Sequence, residues 1–517
     1  MEEILGRHKR GEKEKDRRIV RKMKENACNN KSQKKNPGFL LSAVSSNSGK
    51  TAAACGLMSA FKQKGKRVCA CKCGPDYIDP MFHREVLGVD SKNLDLFFSE
   101  KEILQAGYLR HIKDADITIT EGVMGFYDGM SLDSVKGSSY DVAKALGLPV
   151  ILVINARGAA MTLAATVKGI AEFRPDSNIR GILLNRVSAM LYPRLKAMLE
   201  TELVQIGHDE IKVVGYMPED EVFHLESRHL GLVTPQEMED LQEKVRQAGE
   251  ILAKTVDFEL LEKIAGEAAV WKVEVPKAFD ESEKIGSLKS LKYPVRIAVA
   301  RDEAFCFYYK DNLELLESLG CELIEFSPLH DEKIPENVKG ILLGGGYPEL
   351  YGKQLSENQS MLVSIRKALT QEKMPCLAEC GGFMYLHEEM EDTDGNVWKL
   401  VGRIKGRTFP TGKLVRFGYV DLQRNLDENP ISEFKEQMSL ADSWFHPGEN
   451  IRAHEFHYWD STDSGSDCLA VKPDGKRSWE CMHLEENLVA GYPHLYYPSC
   501  KEFAERFVEK CRSGYRK

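Results

Sequence analysis

The chain has 517 residues, of which 42% are hydrophobic and 29% charged, and its 71 Lys and Arg against 79 Asp and Glu give a net charge of −8. At roughly 150 residues per domain, this length predicts about three folded units, and the apolar content excludes a wholly disordered chain. The longest apolar runs fall far short of the roughly 20 residues that cross a bilayer, and the negative charge excludes a broad electrostatic grip on nucleic acid.

The first segment, 1–36, is a basic extension with thirteen Lys or Arg and six Asp or Glu, which gives +7 and leaves −15 for the remainder. It lacks the apolar core of a secretory signal and is too acidic for an organelle transit peptide. We interpret it as a solvated or frayed basic helix, with an RNA-, membrane- or partner-binding arm as the alternative.

Thirteen cysteines without an export signal predict free thiols in a reducing cytoplasm. Cys69, Cys71 and Cys73 alternate and would share one face of a strand. Burial as small hydrophobic side chains is favoured there over a soft-metal site, because no fourth ligand is nearby.

From residue 39 onward, short β-branched runs alternate with longer helical stretches. This rhythm predicts an α/β domain over 37–235, with a mainly parallel sheet, helices on both faces, and ligands at the carboxyl ends of the strands. The predicted strands are 39–44, 68–72, 117–120, 150–154, 182–184 and 212–216.

The first of these strands runs into a candidate phosphate loop, 45–51, followed by a helix of small residues. Backbone N–H groups at the helix start would bind phosphates, Lys50 would reach the terminal phosphate, and the Thr51 hydroxyl would bind Mg²⁺. Val44 replaces the usual first glycine, so a strand that ends in a Ser/Asn helix cap is the alternative. The residues assigned to nucleotide binding in this loop are Asn47, Ser48, Gly49, Lys50 and Thr51.

Other strand ends supply polar groups near this loop. Asp76 and Glu121 are oxygen ligands of the kind that Mg²⁺ needs between phosphates, with helix capping as the alternative. Asn185 stands where an amide could recognise a base edge, although a turn-forming Asn is equally consistent with the pattern.

Residues 236–293 are mostly charged helix and then a polar stretch, which we interpret as a connection to a second α/β domain, 294–517. The second rhythm predicts strands at 295–300, 322–326, 340–343, 376–378, 414–422 and 454–458.

The strand at 376–378 breaks at Cys380, which two glycines follow. This pattern is typical of a nucleophile elbow, in which a sharp strand-to-helix turn exposes the sulfur at a helix N-terminus that favours the thiolate. The glycines Gly344 and Gly345 end an earlier strand, and their amides could form an oxyanion hole. His494 is the best placed base in chain order, whereas the alternative for the cysteine is a structural turn.

With both halves assembled, the chain resembles the cobyrinate a,c-diamide synthases, glutamine-dependent ligases of the corrinoid pathway, over almost all of residues 38–500. The resemblance rests on long strings at 72–80 (KCGPDYIDP), 121–129 (EGVMGFYDG), 304–309 (AFCFYY), 344–350 (GGGYPEL), 378–385 (AECGGFMY) and 454–458 (HEFHY).

The resemblance implies an ATP-binding domain like dethiobiotin synthetase and a class I glutamine amidotransferase domain, with Mg²⁺ and ATP at the first and glutamine at the second. Tyr77, Ile78 and Asp128 match positions near the corrinoid carboxylate, and Arg157 is a candidate for holding an anionic side chain. Two departures stand out: the late motif reads His494-Leu495-Tyr496 without a second histidine, and no Glu follows His494 by two residues, so the group that orients His494 is open.

The implied activity is amidation of the a and c carboxylates of cobyrinate, through an acyl phosphate and ammonia released from glutamine. We expect a cytoplasmic enzyme with no nucleic acid or membrane partner, and we leave open whether it is a homodimer. The alternatives are the related synthase that amidates nickel sirohydrochlorin and a non-catalytic, ATP-switched binding protein. Cobyrate synthase is disfavoured by the strings at 72–80 and 121–129.

Overall fold

The computed structural model describes residues 37–225, 235–269, 294–425, 444–446 and 448–514. The basic extension 1–36 therefore lies outside the described residues. The described chain forms two α/β domains in sequence order, as the two βα rhythms predict.

The first domain alternates strands and helices almost without interruption. Its strands are β1 (Gly38–Ala43), β2 (Val68–Cys73), β3 (Ser91–Leu94), β4 (Ile117–Glu121), β5 (Val150–Asn155), β6 (Ile179–Asn185) and β7 (Lys212–Met217). Its helices are α1 (Lys50–Gln63), α2 (Ile78–Glu85), α3 (Lys101–His111), α4 (Ser139–Leu146), α5 (Met161–Phe173), α6 (Tyr192–Gln205), α7 (Pro235–Thr255) and α8 (Phe258–Ala265).

The seven strands form one sheet in the order β3-β2-β4-β1-β5-β6-β7, and every neighbouring pair is parallel. The six predicted strands are confirmed, and β3 at the edge is an addition. The central strands are buried on both faces, because helices cover the sheet from each side. The carboxyl ends of β1, β2 and β4 consequently meet at one edge of the sheet.

The interpretation of 236–293 as a connection is corrected in its first part. Helices α7 and α8 pack on the first sheet: Leu252 fills the space beside Gly56 of α1, and the rings of Phe61 and Phe258 meet at 4.9 Å. An apolar stripe through Val245 and Leu252 is the cause, since residues seven apart share a helix face. Residues 270–293 lie outside the described part.

The second domain begins with another parallel sheet and continues into antiparallel sheets. Its strands are β8 (Val295–Ala300), β9 (Cys321–Phe326), β10 (Gly340–Leu343), β11 (Cys376–Glu379), β12 (His387–Glu391), β13 (Val397–Lys399), β14 (Ile404–Pro410), β15 (Arg416–Arg424), β16 (Asn450–His457), β17 (Trp459–Ser461), β18 (Cys468–Val471), β19 (Ser478–Cys481), β20 (His483–Glu485), β21 (Leu488–Gly491) and β22 (His494–Leu495). Its helices are α9 (Lys310–Ser318), α10 (Gly352–Glu357), α11 (Gln359–Thr370), α12 (Gly381–Tyr385) and α13 (Lys501–Ser513).

Three sheets of this domain have the orders β20-β21-β11-β10-β8-β9, β13-β12-β14-β17 and β19-β18-β15-β16-β22. The first is parallel from β21 to β9, and β11 lies at its centre, so the residue after β11 emerges in the middle of its carboxyl edge. The third is antiparallel throughout and ends in β22.

The two domains meet through a mixed polar and aromatic interface. The Tyr419 hydroxyl donates a hydrogen bond to Asp95 at 2.7 Å, and Lys310 forms an ion pair with Asp90 at 2.5 Å. Between these contacts, the rings of Phe98 and Tyr496 stack at 4.7 Å. The carboxyl edges of the two parallel sheets are thereby held close to one another.

The predicted burial of the alternating cysteines of β2 is confirmed. Cys69, Cys71 and Cys73 are buried in one apolar cluster on a single face of β2, and the twelve described cysteines are all free thiols. Within the described residues, no group of three or more His, Cys, Asp or Glu side chains is arranged to hold a metal ion. No helix in the described segments is long and apolar enough to span a bilayer.

Candidate functional site

The turn between β1 and α1 has the backbone of a phosphate loop. Asn47 adopts φ 60° and Gly49 φ 91°, and this left-handed region is one that Asn tolerates better than most other residues with a side chain. Two features exclude a side chain at position 49. The φ of Gly49 is one that residues with a Cβ rarely adopt, and a Cβ there would lie 2.3 Å from Asn185 Nδ2. The Asn185 amide donates to the Ser48 carbonyl at 2.9 Å, and thus supports the loop from β6. Its contact with a nucleotide base stays a prediction.

Lys50 bridges this loop to the segment after β4. Its ammonium group donates to the carbonyls of Ser45 at 3.1 Å and Met124 at 2.5 Å. Burial, together with the positive charge of Lys72, lowers the pKa of Lys50 to about 8. A weakly solvated cation of this kind gains by pairing with phosphate oxygens.

Beneath the loop lies a cluster of buried charges that sequence patterns did not indicate. Glu121 Oε1 accepts from the Thr51 hydroxyl at 2.6 Å and from Lys72 at 2.9 Å, while Lys72 also pairs with Asp79 at 2.5 Å. Burial favours the neutral carboxyl, but Lys72, His83 and the Thr51 hydroxyl together outweigh it and hold the pKa of Glu121 well below its usual range. For Asp79 the pKa moves in the other direction, because burial and the Glu121 charge raise it by more than Lys72 lowers it.

Two oxygens in this cluster fit a hard divalent cation. Glu121 Oε2 is fully buried, has no hydrogen-bond partner among the described residues, and lies 3.5 Å from His83 Nε2. The Thr51 hydroxyl is bound to the same carboxylate. A carboxylate and a hydroxyl beside a phosphate loop are the donor set that Mg²⁺ accepts.

Asp76, the third predicted metal ligand, has a structural use in this state. Its Oδ1 accepts the Ile78 N–H at 2.8 Å, and the Asp76 carbonyl accepts from Asn93 of β3 at 2.7 Å. These bonds shape the loop from β2 to α2 and leave the metal role a prediction.

The remaining predicted substrate residues lie around the same edge. Asp128 accepts the Gly125 N–H at 2.9 Å, and its charge acts on Lys50. Arg157, in the turn after β5, is exposed and paired with Glu219 at 3.0 Å. A carboxylate ligand would therefore compete with Glu219 for Arg157.

In the second domain, the turn after β11 has the geometry of a nucleophile elbow. Cys380 has φ 49° and ψ −105°, a conformation that costs a non-glycine residue of the order of 1–3 kcal/mol and recurs at functional sites. Its N–H donates to the Gly491 carbonyl at 2.8 Å, which fixes the elbow to β21. The sequence prediction of an elbow is therefore confirmed in backbone geometry.

The thiolate that a helix N-terminus was expected to favour is not the resting form. Burial, with the Glu349 charge as a smaller cause, raises the pKa of Cys380 well above its usual range. The Gly381 N–H acts in the opposite direction but does not offset burial. Cys380 thus needs a base to become a nucleophile.

His494, the predicted base, lies in this region. Its ring is so close to the glycine loop after β10 that a Cβ at Gly345 would lie 2.4 Å from its Cε1. Gly382, two residues after the cysteine, donates to the Gly344 carbonyl at 2.9 Å. The elbow and the imidazole therefore meet at the same loop, and burial lowers the pKa of His494 to about 3, which keeps the ring neutral and able to accept a proton.

The two predicted oxyanion-hole glycines differ in their contacts. The Gly344 N–H donates to the Tyr308 hydroxyl at 2.9 Å, so that amide has a partner in this state. The Gly345 carbonyl accepts from Phe307 at 3.0 Å. A role in binding an oxyanion stays a prediction for both.

Glu379 holds the backbone that directly follows His494. This buried residue directly precedes the elbow, and its carboxyl accepts from the Leu495 N–H at 3.3 Å and the Tyr497 hydroxyl at 2.8 Å. Burial raises its pKa to about 8, so it is mostly protonated at neutral pH. His494 Nδ1 itself has no hydrogen-bond partner among the described residues.

Tyr77 joins the two regions. It follows Asp76 in the first domain, and its ring lies 5.0 Å from that of His494 and 5.3 Å from that of Phe307 in the second. The loop beside the phosphate site is thus also a cover for the imidazole.

Sequence reasoning missed Lys72, Asp79, His83 and Glu379 as site residues. A signal was available for two of them, because Lys72 and Glu379 are charged residues inside or at the end of buried strands and must find partners there. Asp79 belongs to the string at 72–80 but had no role assigned to it, and His83, one turn further along α2, lies outside that string.

Comparison with known proteins gives two family matches, one in each of the two α/β domains. Residues 39–233 match the CobQ/CobB/MinD/ParA nucleotide binding domain, and residues 296–500 match the CobB/CobQ-like glutamine amidotransferase domain.

Full-length relatives cover both domains. The cobyrinate a,c-diamide synthase of Caldanaerobacter subterraneus subsp. tengcongensis is 37% identical over 482 residues, which are 93% of this chain and 99% of the relative. That of Clostridium tetani is 38% identical over 479 residues, with 91% and 99% covered. A solved glutamine amidotransferase structure is 16% identical, covers 42% of this chain and 98% of its own, and has a TM-score of 0.28, too low to support an argument.

Proposed function

The chain belongs to the cobyrinate a,c-diamide synthase family, and from this premise we propose that it amidates the a and c side-chain carboxylates of cobyrinate, with ATP to activate each acid and glutamine to supply the nitrogen. A carboxylate oxygen is a poor leaving group and free ammonia is scarce at neutral pH. The first domain solves the leaving-group problem, and the second domain supplies the ammonia.

The first domain activates the acid. The γ-phosphoryl group of ATP passes to a side-chain carboxylate of cobyrinate, which yields an acyl phosphate and ADP. The backbone of Asn47 to Gly49 and the Lys50 ammonium hold the phosphates, and the low pKa of Lys50, which burial causes, makes pairing with an anion favourable. Thr51, Glu121 and Asp76 are the residues that would hold Mg²⁺, which, when bound, screens the phosphate charge.

The second domain releases nitrogen. His494 accepts the Cys380 proton, the sulfur attacks the amide carbon of glutamine, and ammonia leaves with the proton from His494; water then converts the thioester to glutamate. Burial keeps the imidazole neutral, so a ring nitrogen is free to accept the proton. Ammonia displaces phosphate from the acyl phosphate and forms the side-chain amide.

The contact between Tyr77 and His494 carries the proposal. A residue of the acceptor-side loop lies 5.0 Å, ring to ring, from the base of the glutaminase site. This arrangement favours an enzyme in which both reactions serve one product, because a free-standing glutaminase or ATPase has no use for it. Ile78, Asp128 and Arg157 complete the acceptor side in this proposal.

The free thiols of the described chain are consistent with a cytoplasmic enzyme, which we also propose. The test of the function is product formation. Purified protein with cobyrinate, ATP and glutamine should give the a,c-diamide, with one ADP and one glutamate for each amide formed. Control reactions from which either ATP or glutamine is omitted should give no a,c-diamide.

The same assay separates the alternatives. Amidation of nickel sirohydrochlorin in place of cobyrinate would contradict the substrate and keep the chemistry. Absence of glutamate release from glutamine under every condition would contradict the enzyme and favour an ATP-switched binding protein.

A further inference from the structure

One face of the β15–β16 sheet leads from the domain interface into an open aromatic surface. The residue pairs Asp421 and Arg452, Tyr419 and His454, and Phe417 and Phe456 stand opposite each other on these strands. Side chains two residues apart share a face, so all six point to the same side.

The two ends of this face differ in burial. At one end, Tyr419 packs on Phe97 of the first domain at 4.6 Å and Arg452 pairs with Glu100 at 3.0 Å. At the other end, Phe417 and Phe456 are 57% and 48% exposed, although their rings contact each other at 5.7 Å. Tyr458 extends the row at 5.8 Å from Phe456 and is 46% exposed. Three neighbouring exposed aromatic rings form an apolar surface patch of the kind that often marks a binding site.

The exposed rings lie next to both chemical sites. His454 is opposite His494 in the sheet, and Tyr419 has its hydroxyl 3.8 Å from where a Cβ of Gly74 would stand, in the loop that leads to Asp76. Two residues along a strand span about 7 Å, which places Phe417 and Phe456 that far beyond Tyr419 and His454. A ligand that covers them reaches the acceptor-side loop.

Positive charges border the face. Lys472, half-buried, donates to the carbonyls of Phe417 at 2.6 Å and Tyr419 at 3.1 Å, and the charge of Arg477 reaches it from the turn between β18 and β19. From the first domain, the charge of Lys136 reaches Asp421. Flat rings with cations at their edge match a flat, apolar ring system that carries carboxylates at its periphery.

We propose that this face, consisting of Phe417, Phe456 and Tyr458 with Lys472 at its edge, is the platform on which the macrocycle of the acceptor stacks. The second domain then contributes directly to acceptor binding, in addition to releasing nitrogen. The inference rests on the proposed function, since cobyrinate supplies both the flat macrocycle and the carboxylates.

The test is binding of cobyrinate alone to the full chain, measured by equilibrium dialysis with the absorbance of the corrin ring. Stacking on an exposed aromatic ring is worth roughly a factor of ten per ring. Phe417→Ala and Phe456→Ala should each weaken binding about tenfold, and Phe456→Tyr should keep nearly all of it. Phe173→Ala is the matched control, because Phe173 is equally exposed at 54% but lies at the end of α5 in the first domain.

Kinetics with ammonium as nitrogen donor give the second readout. In the alanine variants, the KM for cobyrinate should rise by the same factor, and the KM for ATP should not change. The KM for glutamine, measured in separate assays, should not change either. Unchanged cobyrinate binding with a raised KM for glutamine would overturn the proposal and assign the face to the glutamine site. Unchanged binding with a loss of self-association in light scattering would overturn it in favour of a second copy of this chain.

Failure of the proposed function is distinguishable from failure of this inference. If wild-type protein neither binds nor amidates cobyrinate, the function is wrong. If wild-type protein does both and the alanine variants match it, only the platform is wrong.

Discussion

The turn after β1 and the turn after β11 both lead from a parallel strand into a helix, yet buried ion pairs lie beneath the first, whereas the thiol and the imidazole at the second are uncharged. Beneath the first, Lys72 joins two buried carboxylates. Around the second, burial keeps the Cys380 thiol protonated and the His494 ring uncharged. The difference follows the chemistry, because phosphates bring charge that must be matched, whereas a thiol and an amide bring none.

Removal of the charge at the first turn should have the largest effect. Lys50→Ala takes away the cation that faces the phosphates, so diamide synthesis should fall more than roughly 1000-fold with either glutamine or ammonium. Some glutaminase turnover should remain, because Cys380 and His494 are untouched. Equal loss of both activities would contradict the separation of the two turns and indicate misfolding or obligatory coupling.

The buried cluster should be essential for stability as well. Lys72→Met leaves Glu121 and Asp79 without their cation, and breaking a buried pair typically costs about 3–5 kcal/mol. The exposed pair of Lys333 and Glu336 is the control, because Lys333→Met should leave the free energy of unfolding nearly unchanged. Urea unfolding compares the two variants, and equal values would contradict the importance of the cluster.

At the second turn, position should matter more than charge. Glu379→Ala removes the acceptor of the Leu495 N–H beside His494, and the glutaminase kcat should fall roughly 10- to 100-fold with little change in KM. Because burial raises the pKa of Glu379 to about 8, the neutral variant Glu379→Gln should keep most of the activity. A glutamine variant as impaired as the alanine variant would show that the charge is needed.

Some of the features that these variants test could be predicted from the sequence alone. The strands around the phosphate loop and the sharp turn at Cys380 follow from local patterns, since each of these strands ends at small or charged residues. Strand β3, Ser91–Leu94, was missed because its residues are largely polar. The cover of Tyr77 on His494 could not be predicted, because it arises only when two separately folded domains dock.

The smallest expected effect is an absence of pH dependence. With its pKa lowered to about 3 by burial, His494 stays neutral as the pH falls from 7.5 to 5, so kcat/KM for glutamine hydrolysis should vary by less than about twofold over this range. Tyr77→Ala, which exposes the ring to water, should move the acid limb upward towards pH 6.5. A wild-type limb already near pH 6.5 would contradict the neutral site.

The central claim is that one domain activates an acid while the other releases nitrogen. The most direct measurement compares diamide formation by Cys380→Ser with glutamine and with added ammonium, at saturating ATP and cobyrinate. The account predicts no product from glutamine and near wild-type rates from ammonium. Loss of synthesis from ammonium as well, in a variant that folds like the wild type, would contradict it.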